Sequence, residues 1–137
     1  MMNLMLLLCA FMGESEDHKA VEAAILDYVE GIYLVQPERI KKSVHPTMRK
    51  VGYYHQEGKW AKYDMTFEQL VQLAERWNKD GKIPKDSPKE ITIYDIREKT
   101  ASAKLVAYWG QDYFHLAKLD GKWWIVNVIW QSLPEMQ

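Results

Sequence analysis

Asp112-Tyr113-Phe114-His115-Leu116-Ala117-Lys118-Leu119-Asp120-Gly121-Lys122-Trp123-Trp124-Ile125-Val126-Asn127-Val128-Ile129-Trp130 reads as two strands closed by one tight turn. Asp-Gly is a strong hairpin signal because both residues tolerate the positive φ that a two-residue turn demands. Upstream, Lys89–Arg97 and Ser102–Trp109 carry the same strand character, with Glu98-Lys99-Thr100 and Gly110 at the turns. The last third of the chain, Ile91 to Gln131, is therefore predicted to be four consecutive strands.

What precedes them is helical in period. Val21, Ala24, Ile25, Tyr28, Val29, Ile32 and Val35 fall at i, i+3, i+4, i+7 spacing, which predicts a helix from Asp17 to Val35 with one apolar stripe. Glu14, Glu16 and Asp17 stand where a helix dipole favours negative charge. Pro37 opens a short second helix, Glu38 to Val44, and His45-Pro46 ends it, since a residue before proline is pushed out of the helical region. Arg49–His55 and Lys59–Asp64 read as a hairpin around Gln56-Glu57-Gly58. Thr66 and Gln69 form a capping box for a third helix that buries Phe67, Leu70, Val71, Ala74 and Trp77 and stops at Asp80-Gly81. Two helices, a hairpin, a helix and four strands make an α+β domain.

Strict alternation along the final strand puts Trp123, Ile125 and Ile129 on one side and Trp124, Val126, Val128 and Trp130 on the other. A strand with two apolar faces needs cover on both. Helices supply one cover; a second copy of the chain supplies the other, which predicts a homodimer through the sheet.

Composition bounds the function. A chain of 137 residues, 47% hydrophobic and 27% charged, is one folded domain, expected over residues 16–137. A net charge of -1 with scattered basic residues argues against a nucleic-acid partner, which requires a clustered basic face. The single cysteine, Cys9, cannot form an internal disulfide. The sequence has no HExxH or CxxC metal spacing, no glycine-rich phosphate loop and no Gly-x-Ser-x-Gly elbow, so neither a metal nor a cofactor is expected. Met1–Met12 is apolar except for Asn3; its length suits the core of an export signal and falls short of the about 20 residues of a membrane span. Residues 1–15 are thus expected to direct export to the periplasm; the alternative is an apolar extension on a cytoplasmic domain. No integral membrane span is expected.

Ala20-Val21-Glu22-Ala23-Ala24-Ile25-Leu26-Asp27-Tyr28-Val29-Glu30-Gly31, His45-Pro46, the stretch from Asp112-Tyr113 to Leu116, and Gly121-Lys122-Trp123 through Asn127 resemble the Putative lumazine-binding family of the nuclear-transport-factor-2-like superfamily. The resemblance covers about Asp17 to Gln131. It implies a cone-shaped fold, in which a strongly bent, mainly antiparallel sheet wraps the helices around an internal pocket. The superfamily includes ketosteroid isomerases, dehydratases, cyclases and non-catalytic binding domains, among which fold alone does not choose.

A pocket of this kind is mostly apolar with a few convergent polar groups. Candidate polar lining residues are His45, Tyr54, His55, Asp64, Asp112, His115 and Asn127, with Trp60, Trp77 and Trp109 as aromatic walls able to stack a flat ring that Asn127 fixes. The leading expectation is a binding module for a small apolar or aromatic molecule. The alternative is a cofactor-free isomerase, dehydratase or cyclase with Asp112 or His45 as general base; resemblance to the isomerases implies a hydroxyl donor from the first helix, Tyr28 or Tyr33. A third reading fills the cone with the chain's own six tryptophans and eight tyrosines. Asp112 follows Trp109-Gly110-Gln111, which favours a turn residue over a base. His45 similarly suits a hydrogen bond at a helix end. The phase of His115, opposite Phe114 and Leu116, leaves open whether it meets the pocket or the dimer partner.

Overall fold

The computed structural model describes residues 2–134, with side chains from Glu16 onward. The side chains of the expected export segment, residues 1–15, lie outside the described residues. Among the described residues no helix is long and apolar enough to cross a membrane.

Among the described residues three helices and six strands follow the predicted order: α1 (Met2–Tyr33), α2 (Pro37–Ser43), β1 (Val44–Gln56), β2 (Lys59–Met65), α3 (Phe67–Arg76), β3 (Lys89–Ile96), β4 (Thr100–Ala107), β5 (Gly110–Leu119) and β6 (Lys122–Ser132). They form an α+β fold in which the helices pack inside a curled, unclosed sheet of order β2-β1-β6-β5-β4-β3. Every neighbouring pair is antiparallel except β1 with β6.

Local chemistry explains most boundaries. The α1 stripe sinks Val21, Ile25, Tyr28, Val29 and Ile32 completely into the core. Thr66 caps α3 as expected, its hydroxyl accepting from Gln69 N while the Gln69 side chain accepts from Thr66 N. Both hairpin turns place two residues at positive φ, Glu57-Gly58 and Asp120-Gly121. Gly110 has φ 139, and a Cβ there would overlap the Gln131 carbonyl, so only glycine fits where β5 leaves the Tyr108-Trp109 turn.

Two expectations need correction. α1 begins at Met2 rather than Asp17, because the upstream run of Met, Leu and Ala contains strong helix formers and no proline. α2 ends at Ser43, one residue short of the expected Val44, and His45 and Pro46 already belong to β1, whose early residues lack a β2 partner and so do not need the proline N–H.

The final strand also departs from strict alternation. His115 pairs with Asn127 but Leu116 pairs with Ile125, leaving one extra β6 residue in a bulge. The bulge reverses the phase. Trp123 and Ile125 before it, and Val128, Trp130 and Ser132 after it, all turn inward, whereas Ile129 faces out and is 47% exposed. The bulge thus carries Val128 and Trp130 to the inner face with Trp123 and Ile125, and leaves Trp124, Val126 and Ile129 as the apolar residues of the other side.

Ion pairs brace the helices. Arg39 of α2 bridges Asp27 and Glu30 of α1, and Lys89 of β3 reaches the same Glu30. Asp17 receives both Lys118 Nζ and Trp123 Nε1 at 2.9 Å, tying α1 to β5 and β6.

Candidate functional site

A buried polar chain crosses the interior. Tyr28 from α1 donates its hydroxyl to Asp112 Oδ2 at 2.7 Å, and Trp109 Nε1 donates to Asp112 Oδ1 at 2.6 Å. Lys50 from β1 donates Nζ to the Tyr28 oxygen at 2.5 Å. Lys50 is 5% exposed, and Asp112 and Tyr28 are fully buried.

Strand phase sends these groups inward. Asp112 shares its face with Phe114 and Leu116; Lys50 shares its face with Met48 and Gly52. The ammonium also stands 5.1 Å from the Tyr28 ring centroid and 5.7 Å from that of Trp130, within cation–π range.

Burial sets the electrostatics. Desolvation raises the Asp112 carboxyl above its usual value, opposed in turn by the Lys50 charge and by hydrogen bonds from Tyr28 and Trp109. Desolvation lowers the Lys50 amine, opposed by Asp112. Burial, then the Asp112 charge and hydrogen bond, lift Tyr28 well above the ordinary phenol. All three groups are pushed toward their neutral forms.

Beside this chain lies a cavity of about 90 Å³ walled by Ile32, Lys50, Met65, Leu73, Trp77, Trp109 and Trp130. It is smaller than the roughly 150 Å³ engineered cavity that accepts one benzene. Lys50 and Met65 also line a groove of about 490 Å³ between early β1 and the start of α3, and so stand where groove and cavity meet. Trp130 Nε1 is the one buried side-chain polar atom without a hydrogen-bond partner among the described residues. Its indole edge fills the space above Gly52, where a Cβ would overlap Nε1 and Cε2.

The predicted residues divide sharply. Tyr28, Trp77, Trp109 and Asp112 converge in the interior. Asp112 is no turn residue: Tyr108-Trp109 make the turn, and the carboxylate points into the core. Trp77 and Trp109 meet each other edge to face, centroids 5.4 Å apart at 76°, so no flat ring stacks between them. Tyr33 is already committed, accepting from Tyr108 N and donating to the Pro88 carbonyl.

The others lie elsewhere. His45 is half-buried at the start of β1, with Nδ1 2.7 Å from Thr47 Oγ1 and its ring edge-on to Trp124, so it caps no helix and meets none of the interior chain. Trp60 is 48% exposed against His55 near the β1–β2 turn. Asp64 is an exposed partner of Lys62 that lines the groove but not the cavity. Tyr54 is half-buried farther along the inward phase of β1, outside the cavity wall. His115 is exposed on the outer face of β5, and Asn127, its cross-strand partner at the bulge, lies on that same outer side.

Sequence reading missed Lys50 and Trp130. Lys50 follows Arg49 and looks like a solvated strand residue, yet its phase with Met48 was the available signal. Trp130 was assigned the wrong companions because the bulge is silent in the sequence.

The family model described as Putative lumazine-binding matches residues 16–131. The chain belongs to that family. A search of curated proteins found no match. Members of the wider superfamily fold likewise: an NTF2-like protein of unknown function from Silicibacter pomeroyi aligns over 85% of this chain and 95% of its own, at 17% identity and TM-score 0.64. An NTF2-like protein with a cystatin-like fold from Novosphingobium aromaticivorans aligns over 93% and 89%, at 12% identity and TM-score 0.65. One from Methylobacillus flagellatus, also of unknown function, aligns over 80% and 90%, at 25% identity and TM-score 0.56. These likenesses establish the nuclear-transport-factor-2-like fold for this lumazine-binding-family chain and leave its chemistry to its own residues.

Proposed function

We propose that this domain binds a small molecule with an apolar body and an oxygen acceptor, the body against Trp77, Trp109 and Trp130 and the acceptor on Lys50. The observation that carries this is the buried Lys50 amine, which among the described residues has one hydrogen-bond acceptor, Tyr28, and so keeps at least one further N–H to satisfy whether charged or neutral, on the wall of an otherwise apolar cavity. A buried donor without an acceptor is costly, and a ligand oxygen relieves that cost. The family's name is consistent with ligand binding. The cavity volume, however, favours a short branched aliphatic body, with any ring lying partly in the groove, over a whole bicyclic ring.

Proton transfer by Asp112 is the weaker reading, because both carboxylate oxygens are occupied and Asp112 is not part of the cavity wall. Catalysis by His45 has less support still, as nothing in the interior chain is near it. The test is a tryptophan-fluorescence titration with 3-methylbutanoate and benzoate. Saturable quenching is expected, weakened roughly 10- to 100-fold in Lys50→Met, the worth of a hydrogen bond to a charged group. No saturation at millimolar ligand, or equal affinity in the variant, rejects the reading.

A homodimer through the outer sheet face is also proposed. Tyr53, Tyr113 and Ile129 stand 42–47% exposed on adjacent strands β1, β5 and β6, with Tyr113 and Ile129 directly paired. Sedimentation of the full chain should give a dimer that Ile129→Lys converts to monomer; a wild-type monomer rejects it.

A further inference from the structure

Resting on the binding reading above, we infer that Lys50 captures its ligand covalently: the ligand class is a small aldehyde or ketone with an apolar body, held as an imine on Nζ. Three features of the geometry converge on this chemistry. Lys50 lines both the cavity and the groove, so a ligand seated where the two adjoin lies against this residue. The walls are Ile32, Met65, Leu73 and three tryptophans, which surround an adduct with apolar surface and limit its contact with the water that would hydrolyse it. And a hydroxyl held by a carboxyl stands 2.5 Å from the amine, where a proton has to move.

A lysine serves as a nucleophile only as the free base, and desolvation in an apolar pocket is the ordinary means of producing it. Burial acts on Lys50 in that direction. Asp112 faces Lys50 through Tyr28 rather than by direct contact, so among the described residues no carboxylate pairs with Nζ and the Asp112 charge only partly offsets desolvation.

The step balances without a further reagent. The amine lone pair attacks the carbonyl carbon; the C–N bond forms as the carbonyl π pair moves to oxygen. One amine proton passes to that oxygen through the Tyr28 hydroxyl, giving a carbinolamine. The nitrogen lone pair then expels the oxygen, which leaves as water with the second amine proton, and the C=N bond remains. No oxidant or reductant is consumed. Tyr28 moves the proton, while Asp112 is a positioning residue that fixes the hydroxyl.

A purely structural lysine makes a different prediction, and one experiment separates them. The folded full chain is incubated with 2-methylpropanal or benzaldehyde and sodium cyanoborohydride near neutral pH, then digested and mapped by mass. The expected result is alkylation of Lys50 several-fold faster than of the exposed Lys41 and Lys62, with 3-methylbutanoate protecting Lys50 alone. Tyr28→Phe should slow labelling at Lys50 without changing it at Lys41. Labelling of Lys50 no faster than the exposed lysines overturns the inference. If Lys50 stays unlabelled while 3-methylbutanoate still gives saturable quenching, covalent capture is wrong and binding stands. If neither occurs, both fall. Because mapping is done on the wild-type chain, an unstable Lys50 variant does not affect the result.

Discussion

Tyr28 and Asp112, 84 residues apart in sequence, meet at 2.7 Å in the interior and join the first helix to the fifth strand. Lys50 completes the chain from the opposite side. A buried polar chain of this kind is stabilising only while every member is satisfied.

Tyr28→Phe removes the central hydroxyl, taking from Lys50 its hydrogen-bond acceptor and leaving Asp112 with Trp109 alone. The expected loss is about 1–3 kcal/mol, the cost of stranding buried polar groups, read as a drop in urea midpoint at unchanged slope. Tyr28→Phe combined with Asp112→Asn should cost less than the sum of the two single changes, because the groups act together. Additive costs would mean that they do not interact.

Gly52→Ala tests the notch that holds Trp130. A methyl at position 52 overlaps the indole edge, and both residues sit in paired strands with little room to shift. Destabilisation of about 1–3 kcal/mol is expected, the usual cost of overpacking, with partial recovery in Gly52→Ala/Trp130→Leu. A neutral Gly52→Ala would show that Trp130 has another place to go.

Acid should weaken the brace around α1. Lys89, then Arg39, hold Glu30 below its ordinary 4.5, and hydrogen bonds from Trp123 and Lys118 hold Asp17 below 3.8. Both carboxylates are lowered in the folded state, so their stabilisation is complete above those ordinary values and is lost as pH falls through the folded ones. Glu30→Gln should flatten the acid limb of a stability–pH curve and lower the plateau at neutral pH. An unchanged acid limb would contradict this.

Asp112 works with the opposite sign. Its carboxyl is raised in the folded state, so the native protein keeps a proton that the unfolded chain releases. Its contribution therefore falls as pH rises from 3.8 toward the folded value. Asp112→Asn should remove that fall, seen as a urea midpoint at pH 7 that rises relative to that at pH 4 when compared with the wild type. A relative drop at pH 7 would mean that the carboxylate is stabilised by its neighbours rather than raised by burial.

Much of the architecture was legible because local signals agreed with one another. The α1 stripe, the Thr66–Gln69 box and the Asp120-Gly121 turn each determine one element, and their order leaves few ways to arrange a sheet. The site was legible only in part. Asp112, Tyr28, Trp77 and Trp109 were found because buried carboxylates, tyrosines and tryptophans are natural pocket candidates. Lys50 was not, since a lysine beside an arginine normally faces water and its burial depends on β1 phase. Trp130 and Asn127 were misplaced for one reason: a single bulged residue reverses every later side chain on β6. The early start of α1 was obscured because an apolar run of Met and Leu suits an export signal and a helix equally well.

Native mass spectrometry of the full chain with 3-methylbutanoate, beside the matched amide and the Lys50→Met variant, tests the central claim most directly. One acid adduct per chain is expected in the wild type, with less of the amide and none of either in the variant. Equal adducts in wild type and variant, or none in the wild type, would show that Lys50 and its cavity are not a binding site.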